Sequence, residues 1–151
     1  MRKSVIFLLA LVGVFLVDDG LKQLFLDGYE WHSRCISLEL HINRGVAFSL
    51  FAFLGEWLKW LQVVLVTGLF AYFAWTGLLA DYPFLSGSLM GAALGNLSDR
   101  FRHGGVVDYV YWHCGFDFAI FNFADTIIDL SIVSILISVY MKQKKAKGVR
   151  H

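Results

Sequence analysis

The sequence is poor in proline, in cysteine and in charge. It has one proline and two cysteines in 151 residues, and 17% of its residues are charged, against about 25% in typical soluble domains. Two cysteines are too few for a disulfide framework or a CxxC metal site, so we interpret Cys35 and Cys114 as ordinary residues, although a single disulfide between them stays open. The formal net charge of +1 excludes a global field that would recruit nucleic acid.

Apolar residues are abundant instead. They make up 58% of the chain and fill windows of about 20 residues, the length that crosses ~30 Å of hydrocarbon. We predict four transmembrane helices, at about residues 4–26, 57–80, 84–101 and 123–141. The basic start and the apolar run behind it are typical of a secretory signal peptide, but no small-residue cleavage site follows, so we expect helix 1 to stay uncleaved. Residues 1–151 are predicted to form a single integral membrane domain.

The hydrophobic pattern changes between the first two helices. Residues 35–43 alternate apolar and polar side chains, the period of a half-buried strand, and Arg44 and Gly45 then supply a turn. We predict β-structure over residues 35–53, outside the bilayer because open strand edges cannot face lipid. The predicted fold class is a membrane all-α bundle of four transmembrane helices, with a small extracytoplasmic β-hairpin or sheet between helices 1 and 2.

Basic residues mark both ends of the chain. Arg2 and Lys3 precede helix 1, and five of the thirteen Lys and Arg residues follow helix 4. By the positive-inside rule both termini are cytoplasmic, which agrees with an even number of spans. The ends of helices 3 and 4 that face each other across the intervening loop therefore lie on the outer side.

Glycines recur at four-residue spacing in the third predicted helix, at Gly87, Gly91 and Gly95. Small residues at this spacing form a stripe along one face of a helix. We expect another helix to approach helix 3 closely along that stripe.

Ionisable side chains at membrane depth are costly, so each one is a candidate functional residue. Asp18 ends helix 1, Asp99 and Arg100 end helix 3, and Asp125 and Asp129 begin helix 4. Ordinary explanations exist for them taken singly, such as an interfacial ion pair between Asp99 and Arg100 or an N-terminal cap at Asp125. Asp108, in the loop between these helices, could likewise be a turn residue.

Taken together, these residues are harder to explain separately. Polar side chains from four segments are expected at the same outer level of the bundle: Asn43, Asn96, Asp99, Arg100, Asp108, Asn122 and Asp125. Two carboxylates brought close in a poorly solvated place cannot both ionise cheaply, so they share one proton. Such a pair can activate water and polarise a peptide carbonyl without a metal ion, a cofactor or a covalent nucleophile.

Motifs for other chemistries are absent from the sequence. It contains no HExxH, no GxSxG and no GxxxxGK[ST], and its five histidines have no metal-ligand spacing. We therefore expect neither a metal centre nor a serine nucleophile.

Five blocks of residues occur in an order and at distances that are typical of one family. Asp18 and Lys22 match its Asp-x-x-x-Lys, and residues 43–49 (NRGVAFS) match its Asn-x-Gly-x-Ala-Phe-Ser. Residues 95–100 (GNLSDR) match Gly-Asn-x-x-Asp-Arg, residues 106–108 match Val-Val-Asp, and residues 121–125 (FNFAD) match Phe-Asn-x-Ala-Asp. By these blocks the chain resembles the bacterial lipoprotein signal peptidases, also called signal peptidase II.

The resemblance implies an aspartic endopeptidase of the bacterial inner membrane, with its active site near the outer face. Asp108 and Asp125 would be the catalytic dyad, and the supporting or substrate-binding residues would be Asp18, Lys22, Asn43, Asn96, Asp99, Arg100 and Asn122. The substrate would be a prolipoprotein carrying a diacylglyceryl cysteine, cut just before that cysteine. Membrane lipid would surround the enzyme, which we expect to be a monomer without nucleic-acid partners.

The sequence departs from the family pattern at three places. Asp129 lies one turn after Asp125, where an uncharged residue is expected, and Asp19 adds an acid beside Asp18. A proline expected shortly before the Phe-Asn block is absent. Asp129 either adds charge near the dyad or pairs with another helix.

Two other classes of protein remain as alternatives. Carboxylates among transmembrane helices also mark proton or ion pathways, although a pathway needs polar groups through the full depth of the membrane. A structural membrane protein could pack through the glycine stripe alone, but it would leave the carboxylates without a role.

Overall fold

The computed structural model describes residues 2–45, 52–116 and 118–148. One turn of 3-10 helix, Ala52–Leu54, precedes the second long helix. The other elements, in chain order, are α1 (Arg2–Leu26), β1 (Trp31–His32), β2 (Ile36–Asn43), α2 (Trp57–Thr76), α3 (Leu78–Asp81), α4 (Pro83–His103), β3 (Val106–Trp112) and α5 (Phe123–Gly148).

Helices α1, α2 and α5 are apolar and pack around α4. Within the described residues, three segments are long and apolar enough to cross a membrane: Arg2–Leu26, Trp57–Thr76 and Phe123–Ala146. Their outer faces expose large side chains such as Leu9 and Val64, as expected for surfaces in contact with lipid. Helix α4 is less apolar and carries many small or polar residues, and most of its residues are buried because the other three helices pack around it.

The glycine stripe of α4 lies directly against α1. A Cβ atom at Gly87 would collide with the carbonyl oxygen of Phe7, and one at Gly91 with that of Leu11. Gly95 likewise lies against the carboxylate of Asp18. The contacts advance in the same direction along both helices, so α1 and α4 run parallel and bring their C-terminal ends to the same side of the bundle.

The second predicted helix is interrupted. Residues 57–80 do not form one helix, because α2 ends at Thr76 and Gly77 adopts a left-handed conformation with φ of 80°. Glycine adopts this conformation without steric cost and commonly terminates helices. The short helix α3 follows, and Pro83 begins α4 in the first turn, where its missing N–H is not needed.

A three-stranded antiparallel sheet in the order β1-β2-β3 covers one end of the bundle. The prediction of a strand over residues 36–43 is confirmed, but its partners differ from those of the predicted local hairpin. Residues 46–51 lie outside the described residues, and Ala52–Leu54 is helical rather than extended. The long partner is β3, which arrives after α4 and places His41 opposite Asp108.

The two cysteines are joined. Cys35 precedes β2 and Cys114 follows β3, and the pairing of Ile36 with Trp112 brings the two ends of these strands together. Our interpretation of them as ordinary residues is therefore wrong, and the disulfide closes the sheet at the end away from Asn43.

The close approach of α1 and α4 predicts a strong dependence on glycine. We expect Gly91→Ala to destabilise the protein by about 1–3 kcal/mol, because the added methyl group overpacks the helix interface. The control is Gly68→Ala, since a Cβ at Gly68 on α2 has nothing within 4 Å. Thermal unfolding in detergent compares the stability of the two variants with that of wild type. Equal melting temperatures for the two variants would contradict the packing described.

Candidate active site

A buried lysine lies at the meeting point of α1 and α4. The ammonium of Lys22 contacts the carboxylate of Asp18 at 2.6 Å and that of Asp99 at 2.7 Å. It also donates a hydrogen bond to the side-chain oxygen of Asn96 at 2.9 Å. All four side chains are buried, so the lysine is held by partners that satisfy each of its three donor positions.

The two carboxylates around Lys22 extend this contact to other elements. Asp18 accepts a hydrogen bond from the backbone N–H of Ala124 at the start of α5, and Asp99 accepts one from that of Val107 in β3. The partner of Asp99 is therefore Lys22, and the simple ion pair between Asp99 and Arg100 considered above is wrong. One buried cation thus fixes α1, α4, α5 and β3 relative to one another.

Asn122 and Asp125 cap the first turn of α5 reciprocally. The backbone N–H of Asp125 donates to the side-chain oxygen of Asn122 at 2.9 Å, and the backbone N–H of Asn122 donates to the Asp125 carboxylate at 3.2 Å. This is the geometry of a capping box, with an asparagine in the position usually held by serine or threonine. The other carboxylate oxygen of Asp125 accepts from the side-chain amide of Asn96 at 2.8 Å.

Asp108 is in strand β3 rather than in a turn. Its two carboxylate oxygens accept separate hydrogen bonds, from the side-chain amides of Asn122 at 2.8 Å and Asn43 at 2.9 Å. Asn43 reaches it diagonally across the sheet, two positions along from the directly opposed His41. Asn122 is therefore the residue that connects the two acids, because it binds Asp108 through its side chain and Asp125 through both its backbone and its side chain.

Arg100 supplies positive charge beside the two acids. Its side chain donates hydrogen bonds to the Gln62 side chain on α2 at 2.6 Å and to the backbone carbonyl of Gly45. The guanidinium interacts electrostatically with Asp108 and Asp125 as well as with Asp99. It joins the acids to α2 and to the turn after β2.

Asp108 has an altered proton affinity. Burial raises its pKa to about 7, the hydrogen bond from Asn43 opposes the rise, and the nearby charge of Asp125 adds to it. A carboxyl group with this pKa is protonated in a large fraction of molecules at neutral pH. The arrangement can therefore hold one acid and one base a short distance apart.

The nine predicted site residues come together in one connected group: Asp18, Lys22, Asn43, Asn96, Asp99, Arg100, Asp108, Asn122 and Asp125. Asp129 is exposed on α5 and stands apart from this hydrogen-bonded group. Asp19 forms an exposed ion pair with Arg102.

Two residues that contact the site or pack beside it were not among the predicted site residues. Gln62 holds Arg100, and as a polar residue in an otherwise apolar helix it carried a usable signal. Tyr109 stacks on Phe25 with ring centroids 4.1 Å apart, and its hydroxyl accepts a hydrogen bond from the N–H of Phe123. Within the described ranges no group of three His, Cys, Asp or Glu side chains is placed to hold a metal ion.

Comparisons of the fold and of the sequence with known proteins identify the class of protein. A solved bacterial membrane enzyme has the same fold, with a TM-score of 0.74, 23% sequence identity and coverage of 93% of this chain and 90% of that chain. The family model described as signal peptidase (SPase) II matches residues 10–141. The chain belongs to the signal peptidase II family.

Curated relatives agree with this assignment. A lipoprotein signal peptidase of Sulfurovum sp. (strain NBC37-1) is 56% identical over 146 residues, covering 97% of this chain and all of the relative. Another, of Helicobacter pylori (strain P12), is 46% identical and covers 93% of both chains. The assignment favours a peptidase over the ion pathway and the structural protein considered as alternatives.

The buried lysine generates a prediction about stability. Lys22→Met should destabilise the protein by about 3–5 kcal/mol, because it leaves Asp18 and Asp99 facing each other without a compensating charge. Arg102→Met removes a cation from the exposed pair with Asp19 and should cost less than about 1 kcal/mol. Chemical or thermal unfolding in detergent measures the loss of stability in both variants. A similar small loss of stability for the two variants would show that Lys22 does not organise the site.

Proposed function

We propose that this protein removes signal peptides from diacylglyceryl-modified prolipoproteins, cutting just before the lipidated cysteine, with Asp108 and Asp125 as the catalytic pair. The observation that carries the proposal is the placement of two carboxylates around Asn122, one of them with a pKa near 7. Membership of the signal peptidase II family supports the substrate class. The names of the curated relatives support it as well.

The chemistry follows from the different settings of the two acids. Asp108 carries the shared proton and transfers it to the carbonyl oxygen of the scissile peptide, while ionised Asp125 takes a proton from the attacking water, so that a gem-diol intermediate forms. The tetrahedral intermediate then collapses as the proton held by Asp125 passes to the leaving nitrogen. Asp108 recovers a proton from the gem-diol, so the products are a carboxylic acid and an amine, and both acids return to their starting states.

The remaining site residues have supporting roles in this proposal. Asn43, Asn96 and Asn122 orient the two carboxylates through the hydrogen bonds described above. Asp18, Lys22 and Asp99 hold the elements that carry the dyad. The guanidinium of Arg100 contacts the substrate's backbone or ester carbonyls.

We infer the orientation in the membrane from the distribution of charge. We count α4 as a membrane span in addition to α1, α2 and α5, which pack around it. All four spans belong to one domain. Basic residues at both ends of the chain support cytoplasmic termini in the bacterial inner membrane. The dyad then lies near the outer face, where a lipid-anchored substrate and water can both reach it. A monomer suffices, since all groups of the site come from one chain.

The direct test is cleavage of a diacylglyceryl-modified prolipoprotein by the purified protein, followed by gel shift. Asp108→Asn and Asp125→Asn keep the shape of the side chain but lose acid-base function, so each should lower turnover about 100-fold or more. Asp19→Asn, in an exposed pair, is the matched control and should retain activity. Activity in both dyad variants would show that the catalytic residues are misassigned, and an inactive wild type would refute the peptidase proposal.

The pKa of Asp108 predicts the pH dependence. kcat/KM should fall as the pH rises through about 7, because Asp108 then loses the proton that polarises the carbonyl. Its pKa is raised from 3.8 in the unfolded chain to about 7 in the folded protein, so the free energy of unfolding falls as the pH rises between these two values, and rates must be corrected for the folded fraction. A corrected profile that is flat or rising up to pH 9 would contradict the role assigned to Asp108.

A further inference from the structure

A cleft separates α2 from α5, and α4 forms its floor. A cavity of about 680 Å³ occupies the part of the cleft away from the sheet. Its walls are apolar, with Leu69 and Phe73 from α2, Leu89 from α4, and Leu136 and Val139 from α5. Nothing in the chemistry proposed above uses this space.

The cavity lies on the same faces of α2 and α5 as the residues beside the dyad. Its lining residues on α5 recur every three or four positions from Ile132 to Ala146, and the same stripe continued toward the N-terminus reaches Asp129 and then Asp125. On α2 the corresponding stripe leads from Leu69 back to Gln62, which holds Arg100. From this periodicity we expect the cleft between α2 and α5 to extend from the cavity to the dyad.

The length of this α5 face suits a segment that crosses the membrane. From Asp125 to Ala146, the last α5 residue that lines the cavity, the helix rises ~32 Å at 1.5 Å per residue. The hydrocarbon core is ~30 Å thick, so an apolar helix of a substrate could lie along the cleft for the full depth of the bilayer. Such a segment precedes the cleavage point in a signal peptide, and the chain direction places it on the side of the dyad where the cleft lies.

Asp129 is the one acid on this path besides Asp125 within the described part of α5. Its side chain is exposed, and helical spacing places it on the α5 face that carries the cavity, inside the apolar span Phe123–Ala146. No hydrogen bond or ion pair from the residues that the structure describes satisfies it; its interaction with Asp125 is repulsive. A carboxylate at this depth is costly, and a donor on the molecule that occupies the cleft would reduce that cost.

We propose that the apolar segment of the signal peptide lies in this cleft, and that Asp129 is a specificity-determining residue that favours a hydrogen-bond donor shortly before the scissile bond. This inference rests on the proposed function. Asp129 is ~6 Å further along α5 than Asp125. An extended substrate covers that distance in about two residues and a helical one in about four, so the residue recognised is two to four positions before the cut.

Matched substrates test the specificity. Diacylglyceryl-modified prolipoproteins with Ser or Ala at the second, third or fourth position before the cut are compared by kcat/KM. Wild type should prefer Ser about tenfold at one of these positions, as expected for a hydrogen bond to a charged group. Asp129→Leu should bring the Ser/Ala ratio close to one, and Asp129→Asn, which keeps an acceptor oxygen, should retain part of it.

The control variant is Leu130→Asn, which puts an amide on α5 outside the cleft and should keep the wild-type ratio. A wild-type ratio near one at all three positions would overturn the inference. It would also be overturned if Asp129→Leu changed the rates of Ser and Ala substrates equally and shifted the pH profile, since Asp129 would then act only through Asp125. In both cases wild type still cuts the lipidated substrate, so the proposed function stands; if wild type does not cut it, both fall.

Cross-linking tests the occupant of the cleft without relying on turnover. In the Asp108→Asn background, a cysteine at Leu69 should form a cross-link with a cysteine placed in the apolar segment of the signal peptide. A cysteine at Leu9, which is 69% exposed on α1, is the control and should cross-link much less. Equal yields at the two positions would mean that lipid, and not the signal peptide, fills the cleft.

Discussion

The structure depends on the buried ammonium group of Lys22. It contacts the carboxylates of Asp18 and Asp99, and these in turn accept hydrogen bonds from backbone N–H groups of α5 and β3. An unpaired charge is too costly to bury, so the lysine and its two partners must stay together. The close approach of α1 and α4 along the glycine stripe makes this possible, because Gly95 leaves room for the Asp18 carboxylate. Packing of small residues between α1 and α4 and electrostatics at the C-terminal ends of these helices are thus parts of one constraint.

That constraint places two acids in unequal surroundings. Asp108 comes from a strand and is held by two side-chain amides, whereas Asp125 comes from a helix and is held in a capping box. Asn122 binds both acids, so their separation is fixed by one side chain and the first turn of α5. The inequality matters for the proposed function because a catalytic dyad needs one proton donor and one base at the same pH.

Much of this arrangement could be predicted from the sequence. Apolar windows predicted α1 to within two residues and the start of α5, which continues to Gly148 beyond the predicted end at residue 141. The alternation of residues 35–43 predicted β2. The convergence of polar residues at one level of the predicted bundle indicated the members of the connected group, because chain direction and helix length fix which helix ends lie on the same side of the bundle. These signals are local, or follow from topology alone.

The remaining features depend on contacts between distant segments. Pairing of β2 with β3 joins residues more than 60 positions apart, and the disulfide follows from that pairing. Asp99 and Arg100 are adjacent in sequence, yet Asp99 contacts Lys22 and Arg100 is held by Gln62. These features concern a choice of partner that periodicity does not contain. The break at Gly77 has a different cause, because a left-handed glycine within an apolar run gives no change in hydropathy.

The central claim is that the two acids differ in protonation at neutral pH, and infrared difference spectroscopy tests it most directly. The C=O stretch of a protonated carboxyl group is followed from pH 5 to pH 9 in wild type and in Asp108→Asn. The account predicts a band that disappears around pH 7 in wild type and is missing in the variant, in line with the raised pKa of Asp108. A band that titrates near pH 4, or one that persists unchanged in Asp108→Asn, would contradict it.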